Sequence, residues 1–405
     1  MPQSKGMTMT QLRAGFGTST LADTQAAVEQ AVRAAASSLG GLAPGLAVVT
    51  ATVEHSAAAV FAAVRRLLPS VLVHGVTTSL GVLAKEGIVA SGEGVVGILL
   101  FAAEGDIGFS VGYAVLGEDA RAAGRRAAEQ LGHGPLPPRV LLFNSSPGRE
   151  EDTLAGIAEV LPDVPAFGGS AADHAIVGEW SVFTDAGAEK DAVSVAALCG
   201  DVDFGGALLA PFVATSHRAT VTAGHDRRMT SLDGKPAAEV LNAWLDDSLA
   251  LQLAEGGNIL AQTALRPLAL RHQTSLGEHY VTIHPAQVHV EDHSIDLFAR
   301  IRVGDEVCMM SGTVEGLTRV LAELYERTIR GLRPEKVRAA ILIYCAGCAG
   351  AVGSALHEGL RTQLGRAMGE IPLLGMCTFG EQGYISGLGN VHQDLSVSLL
   401  LIAEK

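Results

Sequence analysis

Three cysteines near the C-terminus occupy positions at which a thiol could do chemistry. Cys345 and Cys348 form a Cys-x-x-Cys loop that leads from an apolar stretch into a predicted helix, and Cys377 lies in a turn further along. A helix N-terminus lowers the pKa of a nearby thiol because it stabilises the thiolate. Cys348 or Cys377 could therefore act as a nucleophile, with Glu381 or His392 as its base. The alternative is that all three are small, buried apolar side chains beside a pocket.

Metal and haem sites find less support in the spacing of the candidate ligands. A zinc site would need a second Cys-x-x-Cys pair or a closely spaced histidine pair, and neither completes this one, so we predict no metal site. The histidines between His272 and His293 alternate along a strand-like segment and need not share a face. His74 and His392 are better placed as axial ligands of a haem. Apart from this haem, the sequence does not predict which cofactor, if any, the protein binds.

Glycines and short polar side chains follow several predicted strands. Glycine at such a turn lets backbone N–H groups approach a ligand, and the loops beyond strand ends are where α/β sheets bind ligands. Asn144 and Ser145 could instead cap the helix that follows, and the glycines could serve only tight turns. The residues predicted to bind a ligand are Thr77, Thr78, Asn144, Ser145, Gly168, Gly169, Asp173, Cys345, Gly375, Thr378 and His392.

Two carboxylates, Asp173 and Glu381, follow glycine turns at related positions in different parts of the chain. Each could simply cap its own turn, but two similarly placed acids would suit an amine or an amide-bearing ligand. We predict a pocket between the halves of the chain. Its predicted lining is Asn144, Gly168, Gly169, Cys345, Cys348, Cys377, Thr378 and Glu381.

An internal repeat organises the elements that must position these residues. Each unit runs from an apolar strand through a loop and a helix to a strand with glycine, then a hairpin and a closing apolar strand. The clearest units span residues 140–198 and 340–401, and their closing segments Asp191–Leu198 and Asp394–Leu401 are predicted to be equivalent strands. A fainter unit spans residues 46–101, and residues 207–310 contain strands without the glycine motif.

The strands show little polar alternation, which is typical of sheets that are buried on both faces. We therefore predict an α/β fold with two pseudo-repeated lobes of strand–helix–strand units, whose buried sheets are covered by helices. The lobes are expected to divide at residues 1–204 and 205–405, because the short segment 200–215, with Pro211, is the best candidate for a boundary.

Composition narrows the class of protein. The 405 residues are 48% apolar and carry a net charge of −14, which argues against nucleic acid as a partner. Apolar runs are too short for a membrane span. Residues Met1–Met7 lack the layout of a signal peptide, so a cytoplasmic location is expected.

Three motifs resemble the FIST family. They are Val164–Asp173, Leu232–Ala237 and Pro372–Glu381, the last being close to a Gly-x-x-Thr-x-Gly-Glu signature. The resemblance covers nearly the whole chain and implies an N-type lobe over residues 1–204 and a C-type lobe over 205–405. It also implies an intracellular sensory module for a small ligand, with amino-acid-like ligands proposed, and in some members a haem that senses nitric oxide. A separate signalling partner, such as a kinase or a cyclase, would carry the output.

The chain departs from that family pattern at three places. It has Thr78-Ser-Leu-Gly81 where Gly-Glu is usual after the threonine, His392-Gln-Asp-Leu395 where His-Asn-x-Thr is common, and Cys348 in a loop that often carries arginine. These changes weaken the expectation of a charged amino-acid ligand and leave three functions open. The first is a sensory protein that acts through a signalling partner. The second is a cysteine-dependent enzyme for a small amide, ester or thioester, and the third is a haem-based nitric oxide sensor.

Overall fold

The computed structural model describes residues 10–132 and 134–405. Three units with one common plan make up most of this part of the chain, and a separate insertion interrupts the third. Residues Met1–Met7, on which the expected cytoplasmic location rests, lie outside the described residues. Among the described helices, none is both long enough and apolar enough to cross a membrane.

The first unit covers residues 11–104. Its first helix begins after Asp23, whose side chain accepts a hydrogen bond from the Ala26 N–H at 2.8 Å, as N-cap residues commonly do. Its elements are β1 (Gln11–Ser19), α1 (Thr24–Ala36), β2 (Leu46–Ala51), α2 (Ala57–Leu67), β3 (Leu72–Thr77), β4 (Val82–Ala84), β5 (Gly87–Val89) and β6 (Val96–Glu104).

The second unit covers residues 107–200 and contains closely packed helices. A Cβ atom on Gly156 would lie 1.9 Å from the Arg121 carbonyl oxygen, so only glycine permits this contact. Its elements are β7 (Ile107–Val115), α3 (Ala120–Leu131), β8 (Pro138–Ser145), α4 (Glu150–Val160), β9 (Ala166–Ser170), β10 (Val182–Phe183), β11 (Ala188–Glu189) and β12 (Ala192–Gly200).

The third unit starts with β13 (Val202–Leu209) and is then interrupted by an insertion, residues 213–311, which has its own apolar core. The insertion explains why the segment 207–310 has strands but no glycine motif. Its elements are β14 (Val213–His225), β15 (Arg228–Leu232), β16 (Lys235–Pro236), α5 (Ala237–Trp244), α6 (Ala250–Glu255), β17 (Gly257–Asn258), α7 (Leu260–Thr263), β18 (Leu268–Thr274), β19 (Gly277–Ile283), β20 (Pro285–Val288), β21 (Ile295–Leu297) and β22 (Glu306–Ser311).

After the insertion, the third unit resumes with a helix that Thr313 caps by accepting a hydrogen bond from the Gly316 N–H at 3.0 Å. Its remaining elements are α8 (Val314–Ile329), a 3-10 turn (Pro334–Lys336), β23 (Val337–Cys345), α9 (Ala346–Val352), α10 (Ser354–Gly359), a π-helical turn (Leu360–Gly365), α11 (Arg366–Met368), β24 (Leu373–Thr378), β25 (Glu381–Ile385), β26 (Gly389–Gln393) and β27 (Val397–Glu404).

The three units share one strand order: β1-β6-β2-β3, β7-β12-β8-β9 and β13-β27-β23-β24. The predicted equivalence of the two closing strands, β12 and β27, is therefore confirmed. The registers add a correction of one residue. Val195 pairs with Phe143, which pairs with Gly168 on the next strand. Leu399 pairs with Leu342, which pairs with Gly375, so Val195 and Leu399 occupy the same position in their units. Asp191 thus corresponds to Leu395 and not to Asp394.

Each unit sends its hairpin to a neighbour. The hairpin β4–β5 pairs with β24, β10–β11 pairs with β3, and β25–β26 pairs with β9. Equivalent backbone hydrogen bonds accompany the three exchanges: Ser79 N–H to Cys377 O at 3.0 Å, Ala172 N–H to Thr77 O at 3.0 Å, and Phe379 N–H to Ser170 O at 3.2 Å. The exchange runs around the molecule and links every unit to the other two.

The inner faces of the three sheets share one apolar core, to which all three units contribute. Helices cover the outer faces, where each unit forms a further core of its own. The predicted α/β fold, with pseudo-repeated strand–helix–strand units and buried sheets under helices, is confirmed. The boundary between residues 204 and 205 falls within β13, and the division into lobes there stays a prediction.

Candidate functional site

A cavity of about 590 Å³ lies where the second unit, the third unit and the insertion meet. This volume is in the range of small-molecule sites. The second unit contributes Glu150 and Trp180. The third contributes Cys345, Gly347, Gly350 and Ala351 at and within α9, the turn from Thr378 to Gly380, and Asp394. The insertion closes the cavity with Arg227, Leu260, Ala261, Ala264, His284 and Phe298.

The walls of the cavity are apolar and contain two aromatic pairs. The rings of Trp180 and Phe379 meet edge to face with their centroids 6.1 Å apart. The rings of His284 and Phe298 do the same at 5.9 Å. Aromatic side chains offer large apolar surfaces in few orientations. The walls therefore suit a ligand with a flat or compact apolar body.

A buried ion pair lies at the polar end of the cavity. Glu150, at the start of α4, is 1% exposed and accepts hydrogen bonds from Ser170 Oγ at 2.7 Å and from Arg227 Nη2 at 2.8 Å. Burial alone would raise the pKa of Glu150, but the charges of His392 and Arg227 lower it overall. Arg227 also contacts Glu151 at 2.6 Å, so its charge is shared between two carboxylates.

Asp394 is the second carboxylate of the lining. Its Oδ2 accepts the His284 N–H at 3.0 Å, and its Oδ1 lies 3.5 Å from His392 Nε2. Burial raises the pKa of Asp394 to about 6, while burial lowers the pKa of His284 to about 4. At neutral pH the cavity therefore presents an ionised Asp394 beside a neutral His284.

The three C-terminal thiols differ in environment. Cys345 lines the cavity, and hydrogen bonds from the Cys348 thiol and from backbone N–H groups lower its pKa although it is buried. Burial raises the pKa of Cys348, whose thiol also donates a hydrogen bond to Cys345, and burial raises the pKa of Cys377. Neither Cys348 nor Cys377 lines the cavity. The physical basis for a nucleophile therefore moves from these two residues to Cys345.

Only Cys345 and Thr378 among the predicted ligand-binding residues line this cavity. Gly168, Gly169 and Gly375 lie inside strands, where they permit close contact with neighbouring backbone or side chains. The other polar residues make internal hydrogen bonds, for example Asn144 Nδ2 to Gly169 O at 2.8 Å and Ser181 N–H to Thr77 Oγ1 at 2.9 Å. The residues placed away from the lining are Thr77, Thr78, Asn144, Ser145, Gly168, Gly169, Asp173, Gly375 and His392.

Asp173 and Glu381 do not form a matched pair in the cavity. Asp173 accepts backbone hydrogen bonds from four residues of its own loop, as a carboxylate that caps a turn does. Glu381 is fully buried and accepts from Thr378 Oγ1 at 2.9 Å and Ser396 Oγ at 3.0 Å. Burial raises the pKa of Glu381 well above its ordinary value, and the residue does not line the cavity, so it is not placed to act as a base on a ligand there.

Neither of the two histidines predicted as axial haem ligands, His74 and His392, lines this cavity. His74 is buried in the core with its Nδ1 2.9 Å from Ser194 Oγ. His392 lies behind Gly380, and its Nδ1 is 3.0 Å from Gln382 Nε2. Within residues 10–132 and 134–405, no group of three or more ligating side chains could hold a metal ion.

Sequence reasoning missed most of the cavity's functional groups. Arg227, His284 and Phe298 belong to the insertion, and nothing in their local sequence indicates contact with α4 or β27. Trp180 offered a weak signal, since the chain has only 2 tryptophans. Asp394 was visible as the first residue of a repeated strand pattern, but nothing in that pattern indicates that its side chain lines the cavity.

We expect Cys345 to react first with a small alkylating agent. Its thiol lines the cavity and has a lowered pKa, whereas Cys348 and Cys377 are more strongly protonated and are packed away from it. Peptide mapping after timed iodoacetamide treatment at pH 7.5 should show Cys345 modified at least about tenfold faster than the other two. In Cys345→Ser, total labelling should fall to the slow background. Faster labelling of Cys348 or Cys377 in the folded protein would contradict this assignment.

Comparisons with known proteins identify two family domains along the chain. The model of the FIST N domain matches residues 45–235, and that of the FIST C domain matches residues 237–384. No curated protein matches the sequence. Among solved structures, a cyanuric acid hydrolase from A. caulinodans is similar at 12% identity and a TM-score of 0.34, over 98% of this chain and 99% of that one. PurLQS from Thermotoga maritima is similar at 8% identity and a TM-score of 0.24, over 98% and 73%.

Proposed function

Because the chain belongs to the FIST family, whose domains are small-ligand sensory domains, we propose that it binds a small molecule in this cavity and reports to a separate signalling protein. The cavity carries the proposal: it has about 590 Å³, apolar walls and a polar end with buried charges. The partner would be of the kinase or cyclase type, and the setting would be the cytoplasm.

The insertion gives this proposal a route from ligand to partner. It supplies one wall of the cavity and is joined to α4 by ion pairs, including Arg227 with Glu150 and Arg300 with Asp152. A ligand that contacts both sides would favour one position of the insertion over others. Such a bias is the physical requirement for a ligand to change what a partner recognises.

We expect Gly350→Phe to abolish ligand capture and leave the fold intact. A Cβ atom at Gly350 meets no atom within 4 Å, and the residue lies in α9 and lines the cavity, so the new ring should occupy ligand space. Replacing a helix glycine by phenylalanine also favours the helix by roughly 0.3–0.5 kcal/mol. The measurement is mass spectrometry of small molecules released from the purified proteins.

Gly92→Phe provides a matched control, because a Cβ atom there is also free of contacts and the residue is far from the lining. The wild type and this control should release the same compound in similar amounts, and Gly350→Phe should release at most about one tenth of it, as expected for a filled site. Equal release from all three proteins would contradict a ligand site in this cavity.

A second function is favoured by one observation: Cys345, whose thiol pKa is lowered, lines the same cavity as His284. Both approach Gly347, with Cys345 Sγ 3.6 Å and His284 Cε1 3.9 Å from the position of a Cβ atom there. Both groups can therefore approach one bound molecule, as a cysteine nucleophile and its base must. Such an enzyme would act on a small amide, ester or thioester. Loss of turnover in Cys345→Ser, with the ligand still bound, would identify it.

A further inference from the structure

One carboxylate oxygen in the cavity lacks a hydrogen-bond donor. Asp394 is 4% exposed and lines the cavity, and its Oδ2 already accepts the His284 N–H. Its Oδ1 accepts no hydrogen bond from the described residues, and the nearest donor, His392 Nε2, is itself buried without a hydrogen-bond partner and lies 3.5 Å away. Buried polar atoms nearly always have a partner. The missing donor at Oδ1 is therefore a place for a ligand group that carries N–H bonds.

The balance of charge around that oxygen favours a cation. Glu150, Glu151 and Asp394 surround the polar end, whereas Arg227 and, when protonated, His392 are the cations nearby. Arg227 is already held by both glutamates, at 2.8 and 2.6 Å. An anionic ligand would be repelled by Asp394, and Arg227 would not compensate because both glutamates already pair with it. A cationic ligand would offset the excess negative charge.

The aromatic pairs indicate which kind of apolar group the cationic ligand carries. Trp180 with Phe379 and His284 with Phe298 line the apolar part of the cavity. Building on the proposed ligand-binding function, we propose that the ligand is a primary amine on an aromatic or similarly compact apolar body, without a carboxylate. Its ammonium group donates to Asp394 Oδ1, and its body packs between the two aromatic pairs.

The test compares four probes of nearly one shape by calorimetry at pH 7.5. They are 2-phenylethylamine, the neutral 2-phenylethanol, the anionic 3-phenylpropionate, and phenylalanine, which adds a carboxylate to the amine. We expect 2-phenylethylamine to bind at least about tenfold more tightly than each of the others, since a charge-assisted hydrogen bond is about twice as strong as a neutral one.

Asp394→Asn provides the matched variant, because it removes the charge and keeps an oxygen for the His284 N–H. Affinity for the amine should fall to that for the alcohol, and affinity for the alcohol should stay unchanged. The fold should tolerate the change, because burial penalises the Asp394 charge.

Affinity for the amine should also fall as the pH drops below about 6, since Asp394 then binds a proton. The charged and titratable groups around Asp394 are His392, Arg227, Glu150, His284, Cys345 and Glu381. His392, whose pKa is raised, gains positive charge in the same direction and weakens the amine further.

Three results would overturn the amine proposal: equal binding of amine and alcohol, tighter binding of either carboxylate, or no binding of the amine at millimolar concentration. Binding of the alcohol that Gly350→Phe abolishes would still support a ligand site in this cavity. The failure of the amine preference and the failure of the proposed function are therefore distinguishable.

Discussion

Gly168→Ala is expected to prevent stable folding. Gly168 lies in β9 between two neighbouring strands, and an added Cβ atom would sit 1.6 Å from the Phe143 carbonyl oxygen. Neither backbone can yield, because both belong to the same buried sheet. We expect a loss of more than about 4 kcal/mol in the free energy of unfolding, which is exceptional for one methyl group. Denaturant-induced unfolding monitored by circular dichroism measures it.

Gly92→Ala is the control for that experiment, since its new methyl group would contact nothing within 4 Å. It should change the free energy of unfolding by no more than about 0.5 kcal/mol, as surface substitutions do. Gly75 is the equivalent glycine of the first unit. A Cβ atom added there would lie 1.8 Å from the Val49 carbonyl oxygen, so Gly75→Ala should behave like Gly168→Ala. A stable Gly168→Ala protein would show that β8 and β9 can move apart to admit a methyl group. It would contradict the packing role given to Gly168 here and leave ligand binding as the alternative role.

The second large effect is expected from Arg227→Met. The substitution leaves Glu150, which is 1% exposed, without its positive partner and removes a contact that attaches the insertion to α4. Breaking one side of a buried ion pair commonly costs about 3–5 kcal/mol, because the remaining charge stays desolvated. Chemical denaturation should show this loss, and limited proteolysis should cut the insertion earlier than in the wild type.

The double variant Glu150→Gln/Arg227→Met separates charge burial from simple loss of contact. It should regain part of the lost stability, since the fully buried carboxylate is gone and Glu151, which also loses Arg227, is 25% exposed. Arg33→Ala is a control for ion pairs in general: Arg33 and Glu29 pair at 2.8 Å with side chains 78% and 46% exposed, and the loss should stay under about 0.5 kcal/mol. A double variant no more stable than Arg227→Met would argue against an electrostatic cause.

Local patterns in the sequence were sufficient for the repeat and the fold class. The proline and glycine turns before Gly168 and Gly375 and the apolar closing strands mark two units clearly, and β12 and β27 occupy the predicted equivalent positions. The first unit was fainter because it lacks the proline turn. The insertion between β13 and α8 concealed that the third unit begins at residue 202.

The candidate site was harder to predict because its groups come from distant parts of the chain. Cys345 and Thr378 lie beside recognisable motifs and were found, whereas Arg227 reaches Glu150 across 77 positions. The distinction between Cys345 and Cys348 depends on which sulfur faces the cavity, and the spacing of the two residues cannot decide this. Glu381 was predicted to line the pocket, but the carboxylate that lines it is Asp394. Which of the two faces the cavity depends on how the strands pair, and the sequence does not give that pairing.

The exchange of hairpins has a consequence for the order in which a growing chain can fold. A ribosome releases β9 long before β25, yet β25 is the strand that covers the edge of β9. Likewise, β4 must wait for β24. Until those late segments emerge, the earlier units carry open strand edges, which are sites of aggregation. A truncated chain that ends before Glu381 should therefore depend on chaperones or be degraded, although most of its sequence is intact.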